Sequence, residues 1–356
     1  LKRHYRFSFF FFCLFVGFHT MSAQDSQFSQ FYANPMYLNP ALTGSHSGTY
    51  RVMANYRDQW AGPLDKPYST ISAGGDLKFD LRTKGSYSAG NDKVAIGLQF
   101  YSDRIGLINY NTTQLSTYAA YHKVLDKATN QYLSVGLQLG IAQRGITYNN
   151  LTFEDQFDGV NQYNRPTNEI LPGNSQVAGD IGIGLHYSIT PAKNNAYYLG
   201  IAYQHLNSPN VSFFDRDPIT TEEYEAYTLS SKLTLHLGSS FPMGDFAAIE
   251  PRAIYWSQGT SQSVVLGTNL RYEIEDSDEI STHFGAWIRS SKGLSIWSPT
   301  DFILSAGFGK GGLLIGISYD ANLLGLTSDP FRTNTLELSI SFIGNHDNDN
   351  RFCPVF

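Results

Sequence analysis

The sequence predicts an all-β fold, a transmembrane antiparallel β-barrel of about 14 strands, with an extended N-terminal segment before it and a short C-terminal tail after it. Three observations predict it. Apolar and polar residues alternate in fourteen separate stretches, as in Val94, Ile96, Leu98 and Phe100 against Ala95, Gly97, Gln99 and Tyr101. Strand side chains point alternately to opposite faces, so each stretch suits a wall with lipid outside and a polar lumen inside, all backbone groups being bonded within a closed sheet. The chain also opens with the layout of an export signal. Finally, apolar residues make up 42% of the chain and mean hydropathy is negative, which excludes a bundle of membrane helices and suits a wall that shows only alternate residues to lipid.

Residues 1–23 read as a secretory leader. Lys2, Arg3, His4 and Arg6 precede an apolar core, and Met21-Ser22-Ala23 resembles a small-residue cleavage site ahead of Gln24. The apolar run falls short of the ~20 residues of a spanning helix, which argues against an N-terminal anchor. Cys13 would leave with the leader. Removing 1–23 takes away three Lys/Arg and no Asp/Glu, so the formal charge falls from −6 to −9. Nucleic acid is therefore not an expected partner, whereas outer-membrane lipid is. Cys353 alone would remain, which rules out an intramolecular disulfide and a cysteine metal cluster.

Residues 24–48 carry two Asn-Pro pairs and cannot form a long helix. Tyr32, Tyr37 and Leu38 are poor choices for a disordered end, so this segment is expected to pack, as a plug in the lumen or across the periplasmic mouth.

The barrel is expected over 49–343, with strands at 49–57, 68–79, 93–102, 111–123, 132–144, 176–189, 196–206, 227–239, 246–256, 263–273, 280–289, 301–309, 313–320 and 334–343. The alternation places Gly97, Gly136, Gly140, Gly182 and Gly184 on the inner face. Outer-membrane barrels keep turns short on the periplasmic side and loops long outside. If the first strand runs outward, the long connections 145–175 and 207–226 fall outside, and 190–195, 240–245 and 310–312 fall inside. The connection 80–92 is longer than that rule expects. Tyr56, Phe79, Tyr101, Tyr203, Tyr272, Tyr319 and Phe342 close strands, as interfacial aromatic girdles do. A soluble β-sandwich, the competing all-β reading, would leave these rings exposed without reason. The tail comprises residues 344–356.

A family resemblance rests on Gln27, Phe28 and Gln30 in the run Gln27-Phe28-Ser29-Gln30-Phe31-Tyr32, on Asn34, Pro35, Asn39 and Pro40 in the run from Asn34 to Gly44, and on Arg57, Gln59 and Trp60. These runs resemble the opening of the PorP/SprF family of type IX secretion outer-membrane proteins, and Cys353-Pro354-Val355-Phe356 is similar to that family's closing residues. The resemblance covers essentially the whole chain after the leader. It implies a barrel serving type IX secretion or gliding motility: some members are linked to the periplasmic ring of that machine, and others support secretion and surface attachment of a large adhesin. On physical grounds Arg57 is expected to donate hydrogen bonds into the lumen and Trp60 to join a girdle.

The residues themselves give little support to catalysis. His122, His186, His205, His236 and His283 lie singly on different strands, and the chain contains no metalloprotease, serine-hydrolase or phosphate-loop motif. No catalytic residue, cofactor or metal site is expected. A diffusion channel or transporter of hydrophobic molecules is the other non-enzymatic reading. Phe153, Phe157, Tyr163, Phe213 and Phe214 are apolar groups in polar connections on the outward side, candidates for binding a secreted surface protein.

Overall fold

The computed structural model describes residues 25–60, 67–81, 92–106, 109–148, 151–160, 162–191, 195–213, 227–274, 280–293, 296–323 and 334–345. The leader with its cleavage site, Phe214 with most of the loop 207–226, and tail residues 346–356 with Cys353 lie outside them.

Fourteen strands follow one another: β1 Tyr50–Gln59, β2 Tyr68–Asp80, β3 Lys93–Ile105, β4 Tyr110–Asp126, β5 Gln131–Gly145, β6 Ser175–Ile189, β7 Ala196–Gln204, β8 Lys232–Met243, β9 Ala247–Gln258, β10 Ser261–Glu273, β11 Ile280–Lys292, β12 Trp297–Lys310, β13 Leu313–Asn322 and β14 Thr335–Gly344. Each pairs antiparallel with its sequence neighbours, and β1 pairs with β14, so the sheet closes without an edge. Closure satisfies the backbone of every strand within the wall, which crossing a bilayer requires. Among the described residues no helix is long and apolar enough to cross a membrane.

The faces follow the alternation. Ile96 and Leu98 are 53% and 51% exposed on the outside, whereas Gln99 is 2% exposed within. The same division runs through β5, where Leu133, Val135, Leu137, Leu139 and Ile141 face out and Ser134 and Gln138 face in. Tyr56, Phe79, Tyr203, Tyr272, Tyr319 and Phe342 are exposed on the outer face. Tyr101 is a correction: it is buried in the lumen and stacked on Tyr37, because it falls on the inner parity of β3.

The fourteen expected strands all form, and most run further than expected, since polar residues continue the ladders beyond the apolar band. β8 is the main displacement. It starts at Lys232 rather than 227, because Thr228 instead bridges to Asn210 and Leu229 bonds back to Pro209 in the preceding connection. β7 stops at Gln204, where His205 turns the chain at φ 57°. Between β8 and β9 the ladder lapses from Gly238↔Arg252 to Phe241↔Ile249; Pro251, within this gap, has no N–H to give. The connections 146–174 and 205–231 leave one end of the barrel, the long-loop end, and tight turns such as 311–312 close the other.

Candidate functional site

Residues 25–48 run down the inside of the barrel from the long-loop end to the start of β1. Their local form follows from the two prolines. Pro35 and Pro40 occupy the first positions of a single α-turn, Pro35–Leu38, and a 3-10 turn, Pro40–Leu42, where a fixed φ helps and no N–H is missed. Asn39 between them is extended, and its side chain accepts from the Ala41 amide. The path is thus a chain of single turns, narrow enough for the lumen and with many backbone groups left for the wall.

The wall supplies partners all round. On β2 and β3, Asn34 donates to Ser72 at 3.0 Å and accepts from Gln99 at 2.6 Å. On β4, His122 meets the Thr43 carbonyl at 2.8 Å. On β6, β7 and β8, the Asn39 amide reaches the Leu185 and Ile201 carbonyls and the His236 ring. On β9 and β11, Phe31 sets its edge against Trp256 and Trp287. Several inner glycines are where the segment comes closest: a Cβ on Gly136 would strike the Pro40–Ala41 backbone, and one on Gly184 the Asn39 side chain. Phe28, Gln30, Asn34 and Asn39 are all buried.

Buried charge fixes the segment at the long-loop end. Glu337 of β14 accepts from the Ser29 and Gln30 amides at 2.7 and 2.9 Å, and Arg57 of β1 lies 3.3 Å from the same carboxylate while donating to the Gln27 carbonyl. Arg289 binds the Ser29 hydroxyl and stands 3.0 and 3.3 Å from Asp320 and Asp301. Across the lumen, the Asp25 carboxylate lies 2.8 Å from His205 and 3.3 Å from Lys232, and the other His205 nitrogen faces Asp180 at 2.8 Å. Burial opposes the charge on Asp25, but His205 and Lys232 outweigh it and hold the carboxyl well below its ordinary range. Burial likewise opposes the His205 imidazolium, yet Asp25 and Asp180 prevail and raise it to about 9.

The short-turn end is different. Arg51 and Asp76 form one buried pair at 2.6 Å beside the Gly44 amide, which Asp76 accepts. Beyond it opens a cavity of about 850 Å³ whose lining includes His46, Ser47, Lys78, Lys93 and His122. The His46 side chain is 1% exposed, its Nε2 is 3.7 Å from Asp76, and its ring nitrogens complete no hydrogen bond. Burial, with Arg51 beside it, lowers this imidazole to about 4.

The residues singled out from the sequence thus divide. Gln27, Phe28, Gln30, Asn34, Pro35, Asn39, Pro40 and Arg57 gather into the segment and its anchors. Gln59 only pairs within β1's ladders, and Trp60, half-buried at φ 66°, sets its ring against Tyr68 at the strand end. Phe157 and Tyr163 meet in a small bridge with rings 5.2 Å apart, and Phe213 packs on Tyr110; Phe153 starts a separate short turn. Of the histidines, His186 and His236 come together, stacked at 5.4 Å, and His236 is occupied by Asn39. Among the described residues no group of three or more His, Cys, Asp or Glu could hold a metal ion. Sequence reasoning missed Asp25, Asp76, Asp180, His205's pairing, Lys232, Arg289, Asp320 and Glu337. For the strand residues among them the signal was present, as charges at inward positions of otherwise apolar strands.

A family model described as type IX secretion system membrane protein PorP/SprF matches residues 20–342. No curated protein matches the chain. Among solved structures, similarity reaches CdiB from Acinetobacter baumannii, with TM-score 0.44 and 8% identity over 83% of this chain; this chain spans 60% of the length of that one. It also reaches the transport unit of the autotransporter AIDA-I from Escherichia coli, with TM-score 0.34 and 10% identity over 88% of this chain and 97% of that one. The TodX monoaromatic hydrocarbon channel, as a deletion mutant, gives TM-score 0.40 and 9% identity over 85% and 91%.

Proposed function

Because the chain belongs to the PorP/SprF family of type IX secretion system membrane proteins, we propose that this outer-membrane barrel is a non-enzymatic accessory of protein secretion that offers surfaces to protein partners rather than a path to solutes. The observation that carries the proposal is the lumen segment, tied by hydrogen bonds and buried ion pairs to strands all round the wall. A lumen filled in this way is a poor conduit and a rigid support for the loops at its rim. In this reading residues 1–23 are a leader removed on export, 24–48 are the plug, 49–343 the barrel and 344–356 a periplasmic tail.

The long-loop end then faces outward. Its connections, with the Phe157–Tyr163 ring pair exposed at 37% and 54%, receive part of a secreted surface protein such as a large adhesin. The short-turn end faces the periplasmic secretion ring. Of the N-terminal segment only residues 44–48 reach that side, so contact with the ring falls to them, the turns and the tail.

Purification from the native outer membrane in mild detergent, with mass spectrometry of what accompanies the barrel and planar-bilayer recording of the same sample, tests the proposal. A large secreted protein in stable association and no steady conductance is the expected result. A barrel that emerges alone and conducts ions would make it a diffusion channel.

A further inference from the structure

The strands close as a ring, but the rim at the long-loop end is uneven. β5 and β6 stay paired out to Gly145↔Ser175, whereas β6 and β7 pair only from Ile183↔Tyr203. Past the end of β7 the chain continues that ladder for two residues. The Leu206 amide donates to the Ile181 carbonyl at 2.9 Å, and the Asn207 side chain stands in for a backbone: its Oδ1 accepts from the Ile181 amide at 3.2 Å and its Nδ2 donates to the Gly179 carbonyl at 2.7 Å. Ser208 then turns the chain at φ 40°.

The parity of β6 shows which groups remain. The Asn174 carbonyl accepts from Ile146, just beyond β5, and Ile181 bonds on the β7 side, so even residues face β5 and odd residues face the gap. The N–H and C=O groups of Ser175 and Val177 and the N–H of Gly179 therefore meet no backbone partner among the described residues. All three residues are exposed. An unpaired projecting edge is a template for another strand.

A charge lies one strand in from this edge. Arg144 of β5, opposite Gln176 in the ladder and on the inner face, is 6% exposed; it forms no ion pair among the described residues, and its Nη1 completes no hydrogen bond. A strand added to β6 would run two ladder spacings, roughly 10 Å, from β5. An inward Asp or Glu on it, beside Gln176, comes within the joint reach of the two side chains.

We propose that the secreted protein is received by strand addition: an extended acidic segment of it pairs with residues 175–179 of β6 and sets a carboxylate against Arg144. The inference rests on the reading that the long-loop end receives a secreted protein, and adds the means. Backbone pairing supplies affinity, and Arg144 the preference for an acidic segment.

Val177→Pro tests this in the full-length barrel in its native outer membrane. The substitution removes an N–H that faces the gap and leaves the bonds of Gln176 and Ala178 to β5 in place, so the wall closes as before. S175P, nearer the strand end, is a second block, and heat-modifiable migration shows that each barrel is folded. The readout is retention of the secreted protein that mass spectrometry identifies with the wild-type barrel. Retention should fall at least about tenfold with V177P and stay level with V177A. It should fall at least about threefold with R144Q and recover in part with R144K. Equal retention by the wild type and both proline variants overturns strand addition and leaves the receiving role of this end intact, whereas retention unchanged by R144Q overturns the carboxylate contact. A wild-type barrel that retains no secreted protein overturns both this inference and the reading beneath it. A dimer of barrels that V177P abolishes, with no secreted protein held, assigns the edge to a second copy and overturns the proposal.

Discussion

The two ends of the lumen are built from the same residue types and use them in opposite ways. At the long-loop end Arg57, Arg289, His205 and Lys232 each meet a carboxylate, and those carboxylates also hold the descending segment. At the short-turn end the pairs Arg51 with Asp76 and Arg252 with Glu250 stand beside a cavity where Lys78 and Lys93 form no ion pair among the described residues. Paired buried charge fixes position, since separating it strands an ion in low dielectric. Unpaired charge at a mouth is free to select a partner. The first end reads as a clamp and the second as a socket.

The comparison breaks most completely if the segment is removed. Deleting residues 25–43 should leave the strands able to close and turn a silent barrel into a conducting one, read as steady current in a planar bilayer. Next in size is Glu337→Ala, which leaves Arg57 without its buried carboxylate and two amides without an acceptor; a loss of roughly 3–5 kcal/mol is expected. It would appear as a lowered unfolding midpoint in detergent and as protease cutting near residues 27–30. Asn39→Ala removes the polar link to β6–β8 and should cost about 1–3 kcal/mol in the same assay, because the buried Ala41 amide loses its acceptor.

The clamp should also respond to pH. Asp25 is depressed when folded, so its contribution is present above its ordinary range near 3.8 and lost as pH falls. His205 is raised, so its contribution is full below 6.5, wanes above that and is gone beyond about 9. Protection of the segment from protease should therefore be greatest between roughly pH 4 and 6.5, and H205A should flatten the alkaline limb. The smallest expected effect on the barrel is that of F157A with Y163A, below about 1 kcal/mol, because the ring pair is exposed. Partner retention should fall in that variant if the long loops are the receiving surface.

The strands could be read in the sequence because period-two alternation is local, and β5 shows it without interruption. What failed to read locally was non-local. Tyr101 looks like any strand-closing aromatic until its parity is counted inward. β8 begins at Lys232 rather than 227 because bonds from the preceding connection, not its own pattern, claim 228 and 229. The lumen segment announced its turns through Asn34-Pro35 and Asn39-Pro40, but not its partners. Asp76, Asp180, Arg289 and Glu337 could have been flagged as charges on inward positions. Asp25 could not, since nothing near it in sequence shows that His205 and Lys232 await it.

Glu337 has a consequence for the order of assembly. It binds Ser29, 308 residues away in sequence, and Arg57 on the first strand, while its own strand forms the closing seam with β1. Ser29 and Gln30 therefore lack this carboxylate until β14, made about 300 residues later, arrives. Contacts of such long range reward the chain only after most of its loop entropy has been surrendered, which makes folding slow and its final step cooperative. Zipping of the β1–β14 seam and capture of residues 27–30 share one carboxylate, so sealing the wall and filling the interior are a single late event.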